Sequence, residues 1–385
     1  MQQRFIFWCH PWDIEDEGID ATLARLAGDI GVDTLSVTAV HPGIYQVRPR
    51  PLGDRWTFQS GAAAHFQPDS KRYGSSRIRP HAAAWMKNRN PLERIAKAAE
   101  RERLRLRVRV SLLNGEELVA RYAHAACVNL FGDPSRDRLC PSHPDVREYV
   151  TGLVEDLWTN YGLEAIELDG LEWGHDSRIT LTDDAHNDEL LGQFSSWCFC
   201  ASCRQRAAES SIDAEAVRLA AVDHWRLEAS MEIDSLDGDW ETSEAHALVS
   251  RYLNHRPTTI TSLIQLIRTR SPAALRYHLD PTSGTVGTVA ASECGAWVQH
   301  CGGADATKVL ESAGTIGAPS NCDVLIPLSR ATIKDGPSLV ALVHQLSQVG
   351  YAGIGFDSYG LTPEPCLDWA RQAVRYARRE PGASS

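Results

Sequence analysis

Short strand-like runs alternate with helical stretches along nearly the whole chain of 385 residues. The strand-like runs are Phe5–His10, Thr34–Val40, Leu104–Leu113, Ala165–Leu171, Ala274–Asp280, Val324–Arg330 and Ile354–Tyr359. A further strand is expected between residues 281 and 321, near Lys308–Glu311. Because helices between strands create right-handed crossovers that join parallel strands, the rhythm predicts an α/β fold, a (β/α)8 TIM barrel.

A doubly wound open sheet is the alternative fold. Such a sheet usually carries a Gly-rich phosphate loop directly after its first strand. Here the first strand is followed by His10-Pro11-Trp12-Asp13, which contains no glycine. The barrel is therefore favoured. Its helices are expected at Ala21–Asp29, Pro91–Arg103, Pro144–Tyr161, Gly336–Val349 and Pro363–Arg379.

Two long segments interrupt the barrel rhythm, so we expect residues 1–385 to form one barrel domain with additions. Residues 172–272 are mostly helical and predict a long helical insertion after strand 4. Residues 41–90 are rich in Pro, Gly, Arg and aromatic residues, and they predict a long loop over the barrel mouth. Long loops in compact domains are usually functional. Aromatic rings there suit sugars, and arginines suit an anionic substrate group.

The charge balance excludes some partner classes. Lys and Arg number 39 against 50 Asp and Glu, a net charge of −11, so nucleic acid and anionic membranes are not expected partners. No apolar run approaches the ~18 residues of a transmembrane helix. The apolar run Phe5–Cys9 is shorter than the roughly 7–15 residues of a signal peptide core. We expect a cytoplasmic protein, and a homo-oligomer remains open.

The cysteines form one dense motif. Cys198, Cys200 and Cys203 make a C-x-C-x2-C cluster, and in a reducing compartment such a cluster indicates a metal more often than disulfides. A zinc ion bound by thiolates takes four ligands in a tetrahedron, and the best candidate for the fourth is Cys140, just before the helix that precedes the fourth strand. A closed site of this kind would be structural. The alternative is a group of buried thiols that only fill space.

The same block resembles a known family. The run Cys140-Pro-Ser-His-Pro-Asp-Val-Arg147, then a helix, a strand ending in acids and C-x-C-x2-C, is similar to the zinc-bearing β-galactosidases of glycoside hydrolase family 42. The stretch Pro144–Trp173 also resembles a broader set of uncharacterised glycosidase-like barrels. The resemblance implies a TIM barrel, a sugar substrate and a structural zinc held by Cys140, Cys198, Cys200 and Cys203.

The sequence departs from that family at both catalytic positions. The family ends its fourth strand in Asp-Asn-Glu, whereas this chain has Asp169-Gly170-Leu171-Glu172, with the glutamate one residue later. The family's nucleophilic glutamate ends strand seven, and the run Leu325–Arg330 contains no carboxylate. β-Galactosidase activity is therefore not implied, while the fold, the metal and a carbohydrate substrate are.

Alternating charges in three strands give an independent indication of a polar barrel interior. Polar residues alternate with apolar ones in each strand. They are Arg107 and Arg109 in the third strand, Glu167 in the fourth, and Arg276 and His278 in the fifth. If the apolar residues face the helices, these charges point into the barrel. Residues deep in the strands would form an internal ion-pair network, for example Arg107 and Arg109 with Glu167. Residues at the carboxyl ends would form an active site, which barrels carry at that face.

Cleavage of a glycosidic bond needs two carboxyl groups, one protonated and one ionised. We expect Asp169 to be the nucleophile or base, with Glu172 or Asp280 as an acid whose pKa is raised by burial. The expected substrate-binding residues are His10, Asp13, His41, Arg109, His175, Arg276, His278, Asp357 and Tyr359.

These features predict a glycoside hydrolase-like enzyme that acts on a sugar or sugar-like small molecule. Two alternatives stay open. One is an isomerase, epimerase or lyase that uses the same inward-facing groups, which the missing carboxylate on strand seven favours. The other is a catalytically inactive barrel that only binds carbohydrate.

Overall fold

The computed structural model describes residues 3–50, 55–59, 61–171, 173, 196–230, 243–279, 284–301, 316–329 and 331–379. Within these ranges a ring of parallel strands forms a closed barrel. The strands are β1 Arg4–Cys9, β2 Thr34–Val40, β3 Arg105–Ser111, β4 Ala165–Asp169, β5 Leu275–Leu279, β6 Trp297–His300, β7 Cys322–Pro327 and β8 Gly353–Asp357. β1 pairs with both β2 and β8, which closes the ring and confirms the predicted (β/α)8 barrel.

Helices connect the strands around the outside of the barrel. They are α1 Pro11–Glu17, α2 Ile19–Ala24, α3 Pro91–Arg101, α4 Glu116–Arg121, α5 Pro144–Tyr161, α6 Ala201–Glu209, α7 Ala214–Ser230, α8 Glu244–Arg270, α9 Gly284–Cys294, α10 Gly336–Val349 and α11 Glu364–Arg379. Single-turn 3-10 helices lie at Ser70–Tyr73, Ala84–Met86, Ala123–Ala125, Pro319–Asn321 and Tyr359–Leu361, and a π-helix at Arg25–Ile30. No helix in the described ranges has the length and apolar character needed to cross a bilayer.

Local sequence signals explain the limits of α5. Pro144 occupies the first helical turn, where its missing N–H would have no intrahelical acceptor. The side chain of His143 accepts a hydrogen bond from the backbone N–H of Asp145. Gly162 ends the helix in the left-handed conformation, which glycine adopts without strain. These signals set the direction in which the chain enters β4.

The sixth strand differs from its predicted position. It lies at Trp297–His300, between β5 and β7, whereas the sequence favoured residues near Lys308–Glu311, which lie outside the described residues. β6 has four residues, and the segment before it, Gly284–Cys294, forms α9 although it begins with Thr and Val residues typical of strands. Because the strand is short and the helix before it has a strand-like composition, the sequence shows no clear change of periodicity where β6 begins.

The segment 41–90 contains short strands. Ile44–Val47 and Trp56–Gln59 pair as an antiparallel hairpin. Ala63–Ala64 pairs with β2, and His81–Ala82 pairs with Ala63–Ala64. A second hairpin, Ala126–Val128 with Pro134–Leu139, follows β3. Additional chain is therefore concentrated after the carboxyl ends of β2, β3 and β4.

Helix α8 divides between the insertion and the barrel. Val249 and Tyr252, in its first half, pack in a separate core with Trp197, Phe199 and Val217. Its second half contributes apolar residues to the main barrel core, namely Ile260, Leu263, Ile264 and Ile267. The predicted insertion at 172–272 therefore ends in residues that serve as the barrel helix between β4 and β5.

A small apolar cluster lies inside the barrel. Ile6, Trp8, Val298 and Leu325 form this cluster. Gly355 on β8 faces it, and a Cβ at this position would overlap the Trp8 ring, so only glycine fits. The other interior positions are mostly polar, and they build the features described next.

Candidate active site

Glu167 is the centre of the polar interior. Its Oε2 atom accepts hydrogen bonds from Trp8 Nε1 at 2.7 Å, Ser36 Oγ at 2.8 Å and His278 Nε2 at 2.9 Å. Burial acts to raise its pKa, but the hydrogen bond and charge of His278, with the charge of Arg107, lower the pKa of Glu167 to about 2. Glu167 is therefore ionised and fixed by partners from three other strands.

A network of ion pairs lies beneath Glu167, toward the amino ends of the strands. The guanidinium of Arg107, fully buried, donates to Asp323 at 2.6 Å and to Glu164 at 2.7 Å, and it lies 3.8 Å from Glu167. Arg276 is 2.8 Å from the same Asp323 oxygen. Arg276, which the sequence predicts to bind substrate, is the second residue of β5 and lies in this network.

Asp169 and Arg109 lie above Glu167, at the carboxyl ends of the strands, which we call the mouth. Arg109 donates to one Asp169 oxygen from Nε at 2.9 Å and from Nη2 at 2.6 Å. Burial would raise the pKa of Asp169, but the positive charge of Arg109 holds that pKa well below its usual range. About a quarter of each side chain is solvent-exposed, so this ionised carboxylate is accessible from the mouth.

Asp357 ends β8 and is the second carboxyl group at the mouth. Burial raises the pKa of Asp357, although the charges of Arg109 and His278 oppose this rise. The environments of Asp169 and Asp357 therefore shift their pKa values in opposite directions. Such a pair can supply one ionised and one protonated carboxyl group at the same pH.

Two histidines connect Glu167 to the mouth. His278 Nε2 must donate to Glu167, because an ionised carboxylate can only accept. His278 Nδ1 lies 3.0 Å from His300 Nε2, and His300 is the last residue of β6. The chain Glu167–His278–His300 thus fixes the His300 ring, whose charge contributes to the low pKa of Asp169.

Aromatic and imidazole rings line the side of the mouth formed by β1 and β2. His10 stacks on Trp12 with ring centres 4.4 Å apart, and His41 meets His10 edge-on at 5.3 Å. His65 meets Trp12 at 4.9 Å and accepts a hydrogen bond from Trp85 Nε1 at 3.1 Å. His10 Nδ1, Trp12 Nε1 and His65 Nε2 are buried and have no hydrogen-bond partner in the described part of the chain.

Burial keeps these imidazoles neutral. It lowers the pKa of His41 to about 4 and that of His65 to about 3, and it places the pKa of His10 well below its ordinary value. The Arg109 charge adds to the effect at His10 and His41. At neutral pH each ring can both donate and accept a hydrogen bond.

Two predicted substrate-binding residues are buried beside the mouth. Asp13 lies within α1, 3.3 Å from Arg48, and burial raises the pKa of Asp13 to about 7. Tyr359 follows β8, donates to Glu17 at 2.6 Å and lies beneath the Arg50 guanidinium. Both side chains are therefore in contact with other residues of the protein beside the mouth. Glu172, His175 and Asp280 lie outside the described residues.

His300 and Trp8 are site residues that the sequence did not indicate. His300 can be recognised as a site residue only once β6 has been located. Its sequence signal is then that a polar residue ends the strand Trp297–His300. Trp8 lies in a run, Phe5–Cys9, that is apolar at every position. No alternation shows which of its residues face the barrel interior.

The four predicted metal ligands meet beside the mouth. The sulfur atoms of Cys140, Cys198, Cys200 and Cys203 lie within 4.8 Å of one another. Cys140 Sγ is 3.4 Å from Cys203 Sγ, 3.5 Å from Cys200 Sγ and 3.8 Å from Cys198 Sγ. Thiolates at about 2.3 Å from a tetrahedral zinc would be about 3.8 Å apart, so the cluster is compatible with a metal.

A groove of about 910 Å³ lies away from all these groups. Asn90, Glu93 and Lys97 line one side of it, and Asn160 and Tyr161 line the other. It also borders the start of β3 and the residues just before β4, so it lies at the amino-terminal end of the barrel. Barrel enzymes carry their active sites at the opposite end.

No protein-family model matches the sequence, and a search of curated proteins found no match. Solved structures are similar in fold. α-L-Fucosidase isoenzyme 2 from Paenibacillus thiaminolyticus has a TM-score of 0.56 and 10% identity, over 99% of this chain and 50% of that one. A β-galactosidase from Halorubrum lacusprofundi has a TM-score of 0.56 and 12% identity, over 97% of this chain and 58% of that one.

A β-galactosidase from Marinomonas ef1 has a TM-score of 0.52 and 10% identity, over 97% of this chain and 59% of that one. This chain thus spans about half to three fifths of the length of these enzymes. The structural neighbours are glycoside hydrolases with TIM barrels, and the likeness is one of fold.

Proposed function

We propose that this chain is a glycoside hydrolase-like enzyme that acts on a sugar or sugar-like small molecule at the barrel mouth. The observation that carries the proposal is the pair of carboxyl groups Asp169 and Asp357. One is held ionised by Arg109, the other is biased toward its protonated form, and both interact with the same guanidinium. Glycoside cleavage needs this combination.

The two carboxyl groups take different roles in the proposed reaction. Asp357 donates its proton to the glycosidic oxygen as the bond to the anomeric carbon breaks. Asp169 either attacks that carbon or removes a proton from the water that attacks it. Glu172 is three residues after the end of β4 and Asp280 is the residue after β5, and they are the alternative acids.

The remaining groups at the mouth would bind the substrate. Neutral His10 and His41 suit sugar hydroxyl groups, which also donate and accept. A hydroxyl or water at the buried nitrogens of His10 and Trp12 would satisfy polar atoms that otherwise cost free energy. His300 would bind on the opposite side, in a position that Glu167 fixes through His278.

The cysteine cluster would hold a structural zinc. Cys140 comes from the connection between β3 and β4, and the other three ligands come from the insertion after β4. When bound, the metal would fasten these two segments together beside the mouth. A site closed by four thiolates has no open position for substrate.

An isomerase, epimerase or lyase is the second candidate, and one observation favours it. The described residues at the end of β7, Ile326 to Ser329, contain no carboxylate. The chain Glu167–His278–His300 could instead move a proton to or from a carbon next to a carbonyl group.

A substrate panel tests the proposal. Aryl glycosides of common sugars, in both anomeric forms, should release phenol with the wild-type protein. Free sugars and sugar acids incubated in deuterium oxide should show no exchange at carbon. Exchange without any glycoside hydrolysis would assign the second candidate. The absence of both activities would indicate a protein that only binds carbohydrate.

A further inference from the structure

The hairpin Ile44–Val47 with Trp56–Gln59 exposes its apolar side. Tyr45 pairs with Phe58 and Val47 pairs with Trp56, so these four side chains lie on one face. Tyr45 and Phe58 are each 68% exposed, Trp56 is 62% and Val47 is 50%. Tyr45 contacts Trp56 and Phe58 with ring centres 5.4 and 6.3 Å apart. We call this face the aromatic face.

Apart from Ile44, the opposite side of the hairpin is polar, and its residues are buried or half-buried. Gln46 is buried there, and Arg48, next on the same side, forms ion pairs with Asp13 at 3.3 Å and Asp16 at 2.6 Å of α1. This is the reverse of the usual arrangement, in which the apolar side of a hairpin packs on the core. Charge pairs hold the hairpin in place and leave the rings in solvent, as a binding surface requires.

The aromatic face is continuous with the mouth. The hairpin begins three residues after His41, whose ring contacts His10. The chain that leaves the hairpin returns to the same point, since Ala62 N–H donates to the His41 carbonyl oxygen at 2.6 Å. A ligand too long for the mouth would extend from it onto the aromatic face.

The size and chemistry of the face indicate a sugar chain. Four side chains exposed to this degree offer roughly 500 Å² of surface, estimated from about 150–250 Å² per aromatic residue. A stable dimer needs about 800 Å² from each partner, so a second copy of this chain is not the expected occupant. The four side chains carry no charge, and flat rings pack well against the C–H faces of pyranose rings.

We propose that the aromatic face binds the distal residues of an oligo- or polysaccharide whose terminal sugar occupies the mouth. This inference rests on the proposed function for the choice of a carbohydrate. It specifies the substrate class as a glycan chain, with Tyr45, Trp56 and Phe58 as stacking residues.

Native affinity electrophoresis tests this proposal without turnover. The probes are soluble galactan, mannan, xylan, mixed-linkage glucan and polygalacturonate. At least one polymer should retard the wild-type protein, and Trp56→Ala and Tyr45→Ala/Phe58→Ala should weaken that binding about tenfold, as expected for lost ring contacts. Tyr376→Ala, an exposed aromatic on α11, is the matched control and should bind like wild type.

Three outcomes would overturn the inference: no retardation of wild type by any of the polymers, variants that bind as well as wild type, or a change of molecular mass in the variants by light scattering. The last result would assign the face to a second copy of the chain. Hydrolysis of aryl glycosides is measured separately. Polymer binding through Trp56 without hydrolysis would contradict the hydrolase and leave the aromatic face standing.

Discussion

Arg109 on β3 binds Asp169 on β4 through two hydrogen bonds to a single carboxylate oxygen. In the strand register Arg109 lies beside Glu167, one interior position deeper than Asp169, so its side chain extends upward to the mouth. No hydrogen bond from the described residues to the second Asp169 oxygen is present, so substrate or water can bind it. Because Arg109 also interacts with Asp357, one cation influences both carboxyl groups of the proposed reaction.

If Asp357 is the acid, the loss of hydrolysis rate in Asp357→Asn should depend on the leaving group of the substrate. Alkyl glycosides need a proton on the departing oxygen, and we expect their hydrolysis to fall by about 10²- to 10⁴-fold. Dinitrophenyl glycosides leave without help and should be slowed far less. The wild-type rate should fall as pH rises through the raised pKa of Asp357, and the variant should lose this alkaline limb. Equal slowing of both substrates would assign the acid elsewhere, with Glu172 and Asp280 next to be tested.

His65 should make the fold sensitive to acid. Its imidazole stays neutral in the fold to a pKa of about 3, while in the unfolded chain it takes up a proton below about 6.5. The unfolded state then binds more protons, so the free energy of unfolding falls as pH decreases, by about 2 kcal/mol per such histidine between pH 7 and pH 5. Urea unfolding at both pH values should show a smaller fall for His65→Gln. His344→Gln on the surface of α10 should match wild type, and an unchanged fall in His65→Gln would refute the assignment.

Arg107 should be essential for stability. Arg107→Met removes the buried guanidinium that pairs with Asp323 at 2.6 Å and lies 3.8 Å from Glu167, and it should destabilise the protein by about 3–5 kcal/mol. Arg105→Met is the matched control, two residues earlier on the same strand, with half its side chain exposed. It should cost no more than about 1 kcal/mol. Denaturant unfolding compares the two, and equal effects would show that the interior pairs contribute little.

Zinc content should depend on the four clustered cysteines. Elemental analysis of purified protein should find about one zinc per chain, in line with a closed four-thiolate site. Cys200→Ser should lose that zinc and unfold at a lower temperature. Cys366→Ser, which replaces a buried thiol outside the cluster, should keep it. A full metal load in Cys200→Ser would contradict the site.

Strand periodicity accounts for what the sequence could predict of the site. Polar residues alternate with apolar ones in β3, β4 and β5, and the apolar residues must face the helices. This rule places Arg109, Glu167, Asp169 and His278 inside the barrel, as the structure shows. The spacing of Cys198, Cys200 and Cys203 likewise predicts a cluster, since short intervals bring sulfur atoms together wherever the chain goes.

Periodicity predicts which residues of a strand point into the barrel, but not how far along the barrel axis each of them lies. That position depends on how the strands are staggered, which is a property of the closed sheet. Arg276 and His278 have the same inward pattern, yet Arg276 pairs with Asp323 below while His278 reaches Glu167 and His300 above. His65 and Trp85 come from a segment without periodicity, and the contacts that His65 makes with Trp12 and with Trp85 arise from tertiary packing alone.

Azide rescue of Asp169→Ala tests the central claim most directly, using a glycoside that the wild-type protein hydrolyses. Removing the carboxylate should lower the rate by about 10²- to 10⁴-fold, because the base or nucleophile is lost. Azide fits the vacated space and should restore turnover while forming a glycosyl azide, detected by mass spectrometry. Asp223→Ala, at an exposed position on α7, should hydrolyse like wild type and yield no azide product. A wild-type rate in Asp169→Ala, or a slow variant that azide does not rescue, would contradict the role given to Asp169.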